Sequence, residues 1–200
     1  MSSATARLPE PARAPRDEDQ RVTFHGVTWW QYEFMLVVRG ESAVPRMSYL
    51  KGELELMSPS RSHERIRKTI ARMLEYWSMR HDRPFNGFGS WTLEDQPAER
   101  GAEPDECYVL SDDGEPERPD IAIEVNWSSG GIDKLEIYRG LGVREVWMWE
   151  HDQISVYALK ADAYVRLERS ELLPEIDVVR LAELATEPNQ RSAARAFVDE

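Results

Sequence analysis

Two carboxylates lie within an otherwise apolar stretch of the sequence, RPDIAIEVNW, at residues 118–127. Isoleucine, alanine and valine separate Asp120 from Glu124, a pattern typical of a strand in the middle of a sheet. Burying a charge in such a place costs several kcal/mol unless a partner compensates it. The two acids therefore need a cation or hydrogen-bond donors beside them.

Strand geometry separates Asp120 from Glu124. Side chains alternate along a strand, so both carboxylates share one face, but four residues of about 3.3 Å each place them about 13 Å apart. One metal ion, with bonds of about 2–2.6 Å, cannot easily take both. Asp105, which follows Pro104 at the start of the preceding predicted strand, is the natural partner for Glu124, because adjacent strands lie about 5 Å apart.

A close carboxylate pair requires a cation, and an oxygen-only pair suits Mg²⁺ or Mn²⁺ rather than zinc. Lys134 lies ten residues beyond Glu124, in the first turn of a predicted helix, and Gly130 and Gly131 allow the chain to turn back toward the strand. Such a set has the parts for phosphodiester hydrolysis, because the metal lowers the pKa of a water and the ammonium holds that water or stabilises the transition state.

Hydrophobic periodicity predicts the elements that position these residues. The predicted helices span 29–40, 62–80, 132–142, 181–185 and 192–198, with Ser62 as the cap of the second. The predicted strands are a hairpin over 47–57 and segments 88–93, 104–110, 121–126, 143–149, 154–159 and 164–167. The strand, helix and strand over 121–149 form a crossover unit, so its two strands should be parallel, whereas 154–167 should be an antiparallel hairpin. The pattern predicts an α/β (α+β) chain with a mixed sheet flanked by helices.

The first twenty residues contain almost nothing able to pack, so we expect a disordered tail over 1–20 and one domain over 21–200. The tail lacks the apolar segment of a signal peptide, and no apolar run approaches the ~18 residues that span a membrane. A cytoplasmic protein is therefore expected. The single cysteine, Cys107, excludes an internal disulfide and a cysteine-based zinc site.

The formal charge of -12 argues against a protein that coats nucleic acid through bulk electrostatics. The charge is uneven, however, since residues 61–83 carry seven Arg or Lys against three acids, while residues 93–120 carry eleven acids against two arginines. Arg61, Arg65, Lys68 and Arg72 form a stripe on the second predicted helix, away from its apolar stripe. This stripe should face solvent or a polyanion such as DNA.

PDECYVL, PDIAIEVNW and DKLEIYRGLGVREVWMW resemble the Uma-type restriction endonuclease family, within the PD-(D/E)xK nuclease-like superfamily. GELELMSPS followed by His63 resembles the N-terminal part of that family, so the resemblance runs from about Arg21 to beyond Tyr157. It implies a restriction-endonuclease-like fold and metal-dependent DNA cleavage.

By this resemblance, Asp105 takes the place of the metal-binding aspartate and Glu124 the place of the (D/E) residue. Asn126 stands where the superfamily has its lysine, so Lys134 on the following helix would have to substitute for it. An asparagine can bind a water but supplies no positive charge.

Three hypotheses follow from these residues. The first is a Mg²⁺-dependent endonuclease acting on DNA, for which a homodimer would suit double-strand cleavage. The second is a non-catalytic binding or assembly module with a nuclease-like fold, and the third is a hydrolase of a smaller phosphate ester. His63 would contact substrate or support the metal site, or else only cap a helix, while Glu53 and Glu55 should lie on the exposed face of the hairpin.

Overall fold

The computed structural model describes residues 17–125 and 131–199, and within them the chain forms five helices and eleven strands. The helices are α1 (Trp29–Arg39), α2 (Arg61–Arg80), α3 (Lys134–Leu141), α4 (Val178–Ala185) and α5 (Gln190–Val198). The strands are β1 (Gln20–His25), β2 (Arg46–Leu50), β3 (Glu53–Ser58), β4 (Asn86–Gly87), β5 (Leu93–Asp95), β6 (Arg100–Ala102), β7 (Glu106–Val109), β8 (Ile121–Val125), β9 (Glu145–Glu150), β10 (Gln153–Lys160) and β11 (Ala163–Leu167).

These strands form two sheets in the described part of the chain. The larger sheet has the order β11-β10-β9-β8-β7-β4, and its β8 and β9 are parallel while its other neighbours are antiparallel. The smaller sheet has the order β1-β3-β2-β6-β5 and is antiparallel throughout. The predicted crossover β8-α3-β9 and the mixed sheet are confirmed, but the division into two sheets was not predicted.

The main core lies between the larger sheet and helices α2, α4 and α5. The apolar stripe of α2 is buried there, as its helical spacing predicted: it consists of Ile66, Ile70, Met73, Leu74 and Trp77. Ile121, Ile123 and Val125 of β8 join this cluster, whereas Ala122 packs on the opposite face with Ile137 and Tyr138 of α3. The alternation in β8 therefore turns Glu124 toward α3 and the smaller sheet.

Several element boundaries differ from those predicted. Helix α2 is capped by Ser60, whose hydroxyl accepts the amide hydrogen of His63 at 3.1 Å, and Ser62 lies inside the helix. The strand predicted over 88–93 is wrong, because residues 88–92 form no strand and separate β4 from β5, which pair in different sheets. A short strand of the smaller sheet, β6, also precedes β7. Strands of two or three residues carry too little alternation to be recognised in the sequence.

The N-terminal part of the described chain belongs to the smaller sheet. Strand β1 begins at Gln20 and pairs with β3, and the side chain of Asp19 is buried. Residues 1–16 of the expected tail lie outside the described residues. Among the described residues, none of the helices combines the length and apolar character needed to cross a bilayer.

A buried carboxylate on β9 holds the segment that follows the last strand. Glu145 accepts hydrogen bonds from Trp147 Nε1 at 2.9 Å and from the Ser170 hydroxyl at 2.7 Å. It also accepts the backbone amides of Glu171 at 2.8 Å and Leu172 at 3.0 Å. Because Glu145→Ala leaves these four donors, two of them on the buried residues Trp147 and Ser170, without their acceptor, we expect the free energy of unfolding to fall by about 3 kcal/mol, measured by urea denaturation.

The matched control for this change is Glu150→Ala on the same strand, because the Glu150 side chain is about half exposed. Its free energy of unfolding should stay within about 0.5 kcal/mol of the wild-type value. Equal stability of the two variants would contradict the assigned role of Glu145.

Candidate active site

Asp105 immediately precedes β7 and lies beside the end of the neighbouring antiparallel strand β8, which carries Glu124. Glu106 of β7 pairs with Ile123 of β8, and the amide of Asp105 donates to the Ile123 carbonyl at 3.1 Å. The Asp105 carboxylate is 0% exposed and accepts the amide hydrogen of Val125 through Oδ2 at 2.6 Å. Glu124 is 6% exposed. The two acids that the sequence paired across the sheet therefore lie side by side at one end of β8.

Lys134 reaches Glu124 from the first turn of α3. Its Nζ donates to Glu124 Oε1 at 3.1 Å, and the hydroxyl of Tyr138, one helical turn further on, donates to the same oxygen. Burial and the Glu124 carboxylate raise the pKa of Tyr138 well above its ordinary value, so Tyr138 is a neutral donor. Asn126, which stands at the position of the superfamily lysine, lies outside the described residues.

A fully buried histidine links Asp105 to a second aspartate. His63 Nε2 lies 3.0 Å from Asp105 Oδ1, and its Nδ1 lies 2.9 Å from Asp19 Oδ2. The contact of Nδ1 with Asp19 is a hydrogen bond, whereas the contact of Nε2 with Asp105 is close but lacks hydrogen-bond geometry. Burial raises the pKa of Asp19, but the His63 ring and the Ser60 amide lower it more, so the pKa of Asp19 lies below its ordinary value. His63 is thus a contact of the acidic pair, as the sequence allowed.

Two arginines, Arg46 and Arg67, lie near Asp105 and pair with it and with neighbouring carboxylates. Arg46 contacts Asp105 Oδ1 through one guanidinium nitrogen and Glu64 through another at 3.1 Å. Arg67 contacts Glu64 at 2.7 Å and Glu106 at 2.6 Å. Burial lowers the pKa of Arg46 and the nearby charge of Arg67 lowers it further, although an arginine stays charged in proteins. These cations compensate the cost of burying the carboxylates.

The expectation that Glu55 is exposed is wrong. Glu55 is 3% exposed because the segment that leads into α3 covers it, and it accepts the amide of Ile132 at 3.4 Å and contacts Arg21 at 3.9 Å. Glu53, at the start of β3, stays about half exposed, as expected. A pocket of about 280 Å³ opens beside Glu55, and its lining includes Arg21, Glu124 and Lys134.

Asp120 does not belong to this constellation. It lies at the opposite end of β8, where its carboxylate accepts the amide of Leu110 at 2.8 Å and contacts Arg144 at 2.8 Å. These contacts give it the structural role of a residue at the start of a strand. The separation from Glu124 agrees with the strand geometry worked out from the sequence.

The basic stripe on α2 divides into different environments. Arg61, Lys68 and Arg72 are exposed, whereas Arg65 donates to the carbonyls of Thr186 and Glu187 at 3.1 and 3.4 Å. Lys68 also lies 3.5 Å from Glu106 Oε1. Arg65 therefore serves in part to hold the C-terminal helices against α2.

The acidic pair meets the minimum that a hydrated divalent ion needs. No group of three or more His, Cys, Asp or Glu residues within residues 17–125 and 131–199 is arranged to hold a metal. Mg²⁺, however, is often bound through one or two carboxylates and keeps several waters. Asp105 and Glu124 supply such a pair, and Glu124 Oε2 accepts no hydrogen bond from the described residues. The pair fits a magnesium-type ion that retains most of its waters only where Arg46 gives up its contact with Asp105.

The described chain is an α+β domain whose mixed sheet contains the β8-α3-β9 crossover, with two acids and a lysine at one end of β8. It resembles the crystal structure of a "putative nuclease belonging to DUF820" from Anabaena variabilis, with a TM-score of 0.51 and 12% sequence identity over 80% of this chain and 98% of that chain. This likeness shows the fold. A family model described as "Uma2: Putative restriction endonuclease" matches residues 30–187. The chain belongs to the Uma2 family, which confirms the resemblance seen in the sequence. No curated protein matches it.

Some contacts of this site were missed in the sequence. Tyr138 could have been found, since it lies four residues after Lys134 and so shares its helix face. Asp19, Arg46 and Glu55 reach the site through pairing within the smaller sheet, for which the local pattern gave no signal.

Proposed function

We propose that this protein is a divalent-metal-dependent endonuclease that hydrolyses phosphodiester bonds in DNA. The observation that carries the proposal is the position of Asp105, Glu124 and Lys134 at one end of β8, in a chain of a restriction endonuclease family. The charge that Asn126 cannot supply would come from Lys134, whose ammonium already lies against Glu124.

Each residue of the site would have a separate role in the hydrolysis. Asp105 and Glu124 would hold the ion, which when bound lowers the pKa of a water and stabilises charge on a phosphate oxygen. Lys134, next to Glu124, would hold the attacking water or stabilise the phosphate in the transition state. Tyr138 fixes the Glu124 carboxylate by donating to the oxygen that Lys134 also contacts. His63 and Arg46 orient Asp105 from its outer side.

A second candidate function is a binding or assembly module without catalysis. It is favoured by Arg46, whose guanidinium already neutralises Asp105 where an ion would bind. Calorimetric titration with Mg²⁺ separates the two functions. Binding that Asp105→Ala abolishes supports the enzyme, whereas absence of binding at millimolar Mg²⁺ supports the module.

The direct test of the proposal is cleavage of a supercoiled plasmid by the purified chain. We expect nicked and linear products with Mg²⁺ or Mn²⁺ and none with a chelator. A parallel assay uses a small phosphate ester, because turnover of the ester without plasmid cleavage would replace the proposed substrate by a smaller one. An inactive chain in both assays would contradict hydrolysis altogether.

Lys134→Met should slow plasmid cleavage by about 10²-fold while leaving Mg²⁺ affinity nearly unchanged, since it removes the ammonium but neither carboxylate. The measurement is the single-turnover cleavage rate together with a calorimetric titration. Lys160→Met is the control, because Lys160 lies on the β10–β11 hairpin, is about half exposed and pairs with Glu171. Full activity of Lys134→Met would show that the lysine does not take part.

A further inference from the structure

A second charged feature lies between α2 and α5, outside the acidic site. The two helices pack against each other and leave a groove of about 540 Å³ at the surface. Four basic residues line it: Lys68 and Arg72 from α2, and Arg191 and Arg195 from α5. Apolar residues also line it, namely the buried Ala71 and Ala194, the partly buried Tyr76 and the largely exposed Met79. We call this feature the α2–α5 groove.

The arginines of the α2–α5 groove differ from most other arginines of the described chain. Arg39 pairs with Glu103, Arg100 pairs with Glu136, and the remaining paired arginines contact similar carboxylates. Arg72, Arg191 and Arg195, in contrast, form no ion pair with any described residue, and all three are exposed. Other exposed arginines of the described chain, such as Arg80 and Arg166, also form no ion pair, but in the groove three of them lie together beside Lys68.

The spacing of the basic residues favours a repeating anion. Lys68 and Arg72 are four residues apart on α2, and so are Arg191 and Arg195 on α5. At 1.5 Å per residue, each pair spans about 6 Å along its helix and points to the same side. Two short rows of cations thus line the groove, and guanidinium groups are well suited to phosphate oxygens.

The groove also begins close to the acidic site. Lys68 lies 3.5 Å from Glu106, and Glu106 directly follows Asp105. From Lys68 to Met79, α2 extends about 16 Å away from that point. A nucleic acid in the groove would therefore approach the acidic site only at its Lys68 end, and the rest of it would follow α2 away from His63.

We propose that the α2–α5 groove binds the phosphate backbone of duplex DNA, through Arg72, Arg191 and Arg195 together with Lys68. The inference rests on the proposed function for the identity of its ligand. The sequence grouped Lys68 and Arg72 with Arg61 and Arg65 on α2, whereas here they act together with Arg191 and Arg195 of α5. Arg65 is instead occupied by the carbonyls of Thr186 and Glu187.

The test is binding of a short fluorescent DNA duplex without divalent metal, measured by anisotropy over a range of salt concentrations. The variant Arg72→Gln/Arg191→Gln/Arg195→Gln should bind about tenfold or more weakly, and its slope of log K against log salt should fall by roughly 0.9 for each phosphate that is no longer neutralised. The control replaces three exposed arginines outside the groove, Arg80, Arg166 and Arg169, by glutamine. It carries the same net charge and should retain the wild-type slope.

A change of opposite sign makes the test sharper. Glu75 is the one carboxylate among the described residues that line the groove. Glu75→Gln should therefore tighten duplex binding several-fold, an effect that loss of folding could not produce.

Equal weakening in the groove variant and the control, or no binding by the wild type, would overturn the inference. The binding assay does not depend on cleavage. It therefore tests the DNA-binding groove separately from the proposed endonuclease activity. Groove-dependent binding without plasmid cleavage would leave the groove assignment standing and refute the proposed endonuclease. Plasmid cleavage together with duplex binding that the groove variant does not weaken would support the endonuclease and refute the groove assignment.

Discussion

Glu124→Gln should lower the rate of plasmid cleavage by on the order of 10³-fold while the fold stays intact. The amide has the size of the carboxylate and its oxygen can still accept from Tyr138, but it lacks the charge that would hold a metal ion and pair with Lys134. Removal of a residue that merely supports a metal ligand typically costs about 10–100-fold, so removal of a ligand should cost more.

The measurement is the single-turnover cleavage rate in Mg²⁺, with thermal unfolding recorded for the same samples. Glu150→Gln is the control, since Glu150 lies on neighbouring β9 with a half-exposed side chain and pairs with His151. It should cleave like the wild type. Cleavage by Glu124→Gln at the wild-type rate would exclude Glu124 as the centre of the site. A fall in unfolding temperature with unchanged activity at lower temperature would assign Glu124 a structural role instead.

The pairing of Asp105 with Glu124 was predictable because it depends on local rules. Alternation along β8 fixes which residues share a face, and a neighbouring antiparallel strand brings the residue opposite Glu124 within reach. The contact of Lys134 with Glu124 was predictable from a similarly short stretch of chain, since the glycines at 130 and 131 were expected to let the first turn of the helix come back toward the strand. The first inference needs only the pairing of β7 with β8, and the second concerns two residues that are ten positions apart in the sequence.

The rest of the site depends on contacts between distant parts of the chain. Asp19 lies in a segment whose composition indicated a tail, yet it is buried because β1 adds to the edge of the smaller sheet. Arg46 and Glu55 belong to a hairpin whose alternation was interpreted with one face in solvent. At Glu55 that face is in fact covered by the residues before α3, whereas at Glu53 it stays about half exposed. Periodicity shows which residues alternate, but it does not show what will cover each face.

His63→Ala should lower the free energy of unfolding by about 3–5 kcal/mol and weaken metal binding, because it removes the only side chain in the described structure that contacts both Asp19 and Asp105. Asp19 would then lose its hydrogen bond to Nδ1, and Asp105 would lose its close contact with Nε2. Urea denaturation measures the first effect, and titration with Mn²⁺ at a temperature where the variant is folded measures the second. His25→Ala, which removes an exposed histidine of β1, should change neither quantity.

A double-mutant cycle separates the linking role of His63 from a change in packing alone. If Asp19 acts on Asp105 through His63, then Asp19→Asn should weaken Mn²⁺ binding in the wild-type background but have little further effect in His63→Ala. The coupling between the two changes should be on the order of 1–3 kcal/mol, as for groups in one hydrogen-bonded network. Additive effects would instead mean that His63 only fills space at the start of α2. In that case Asp105 would be held mainly by Arg46 and by the amide of Val125.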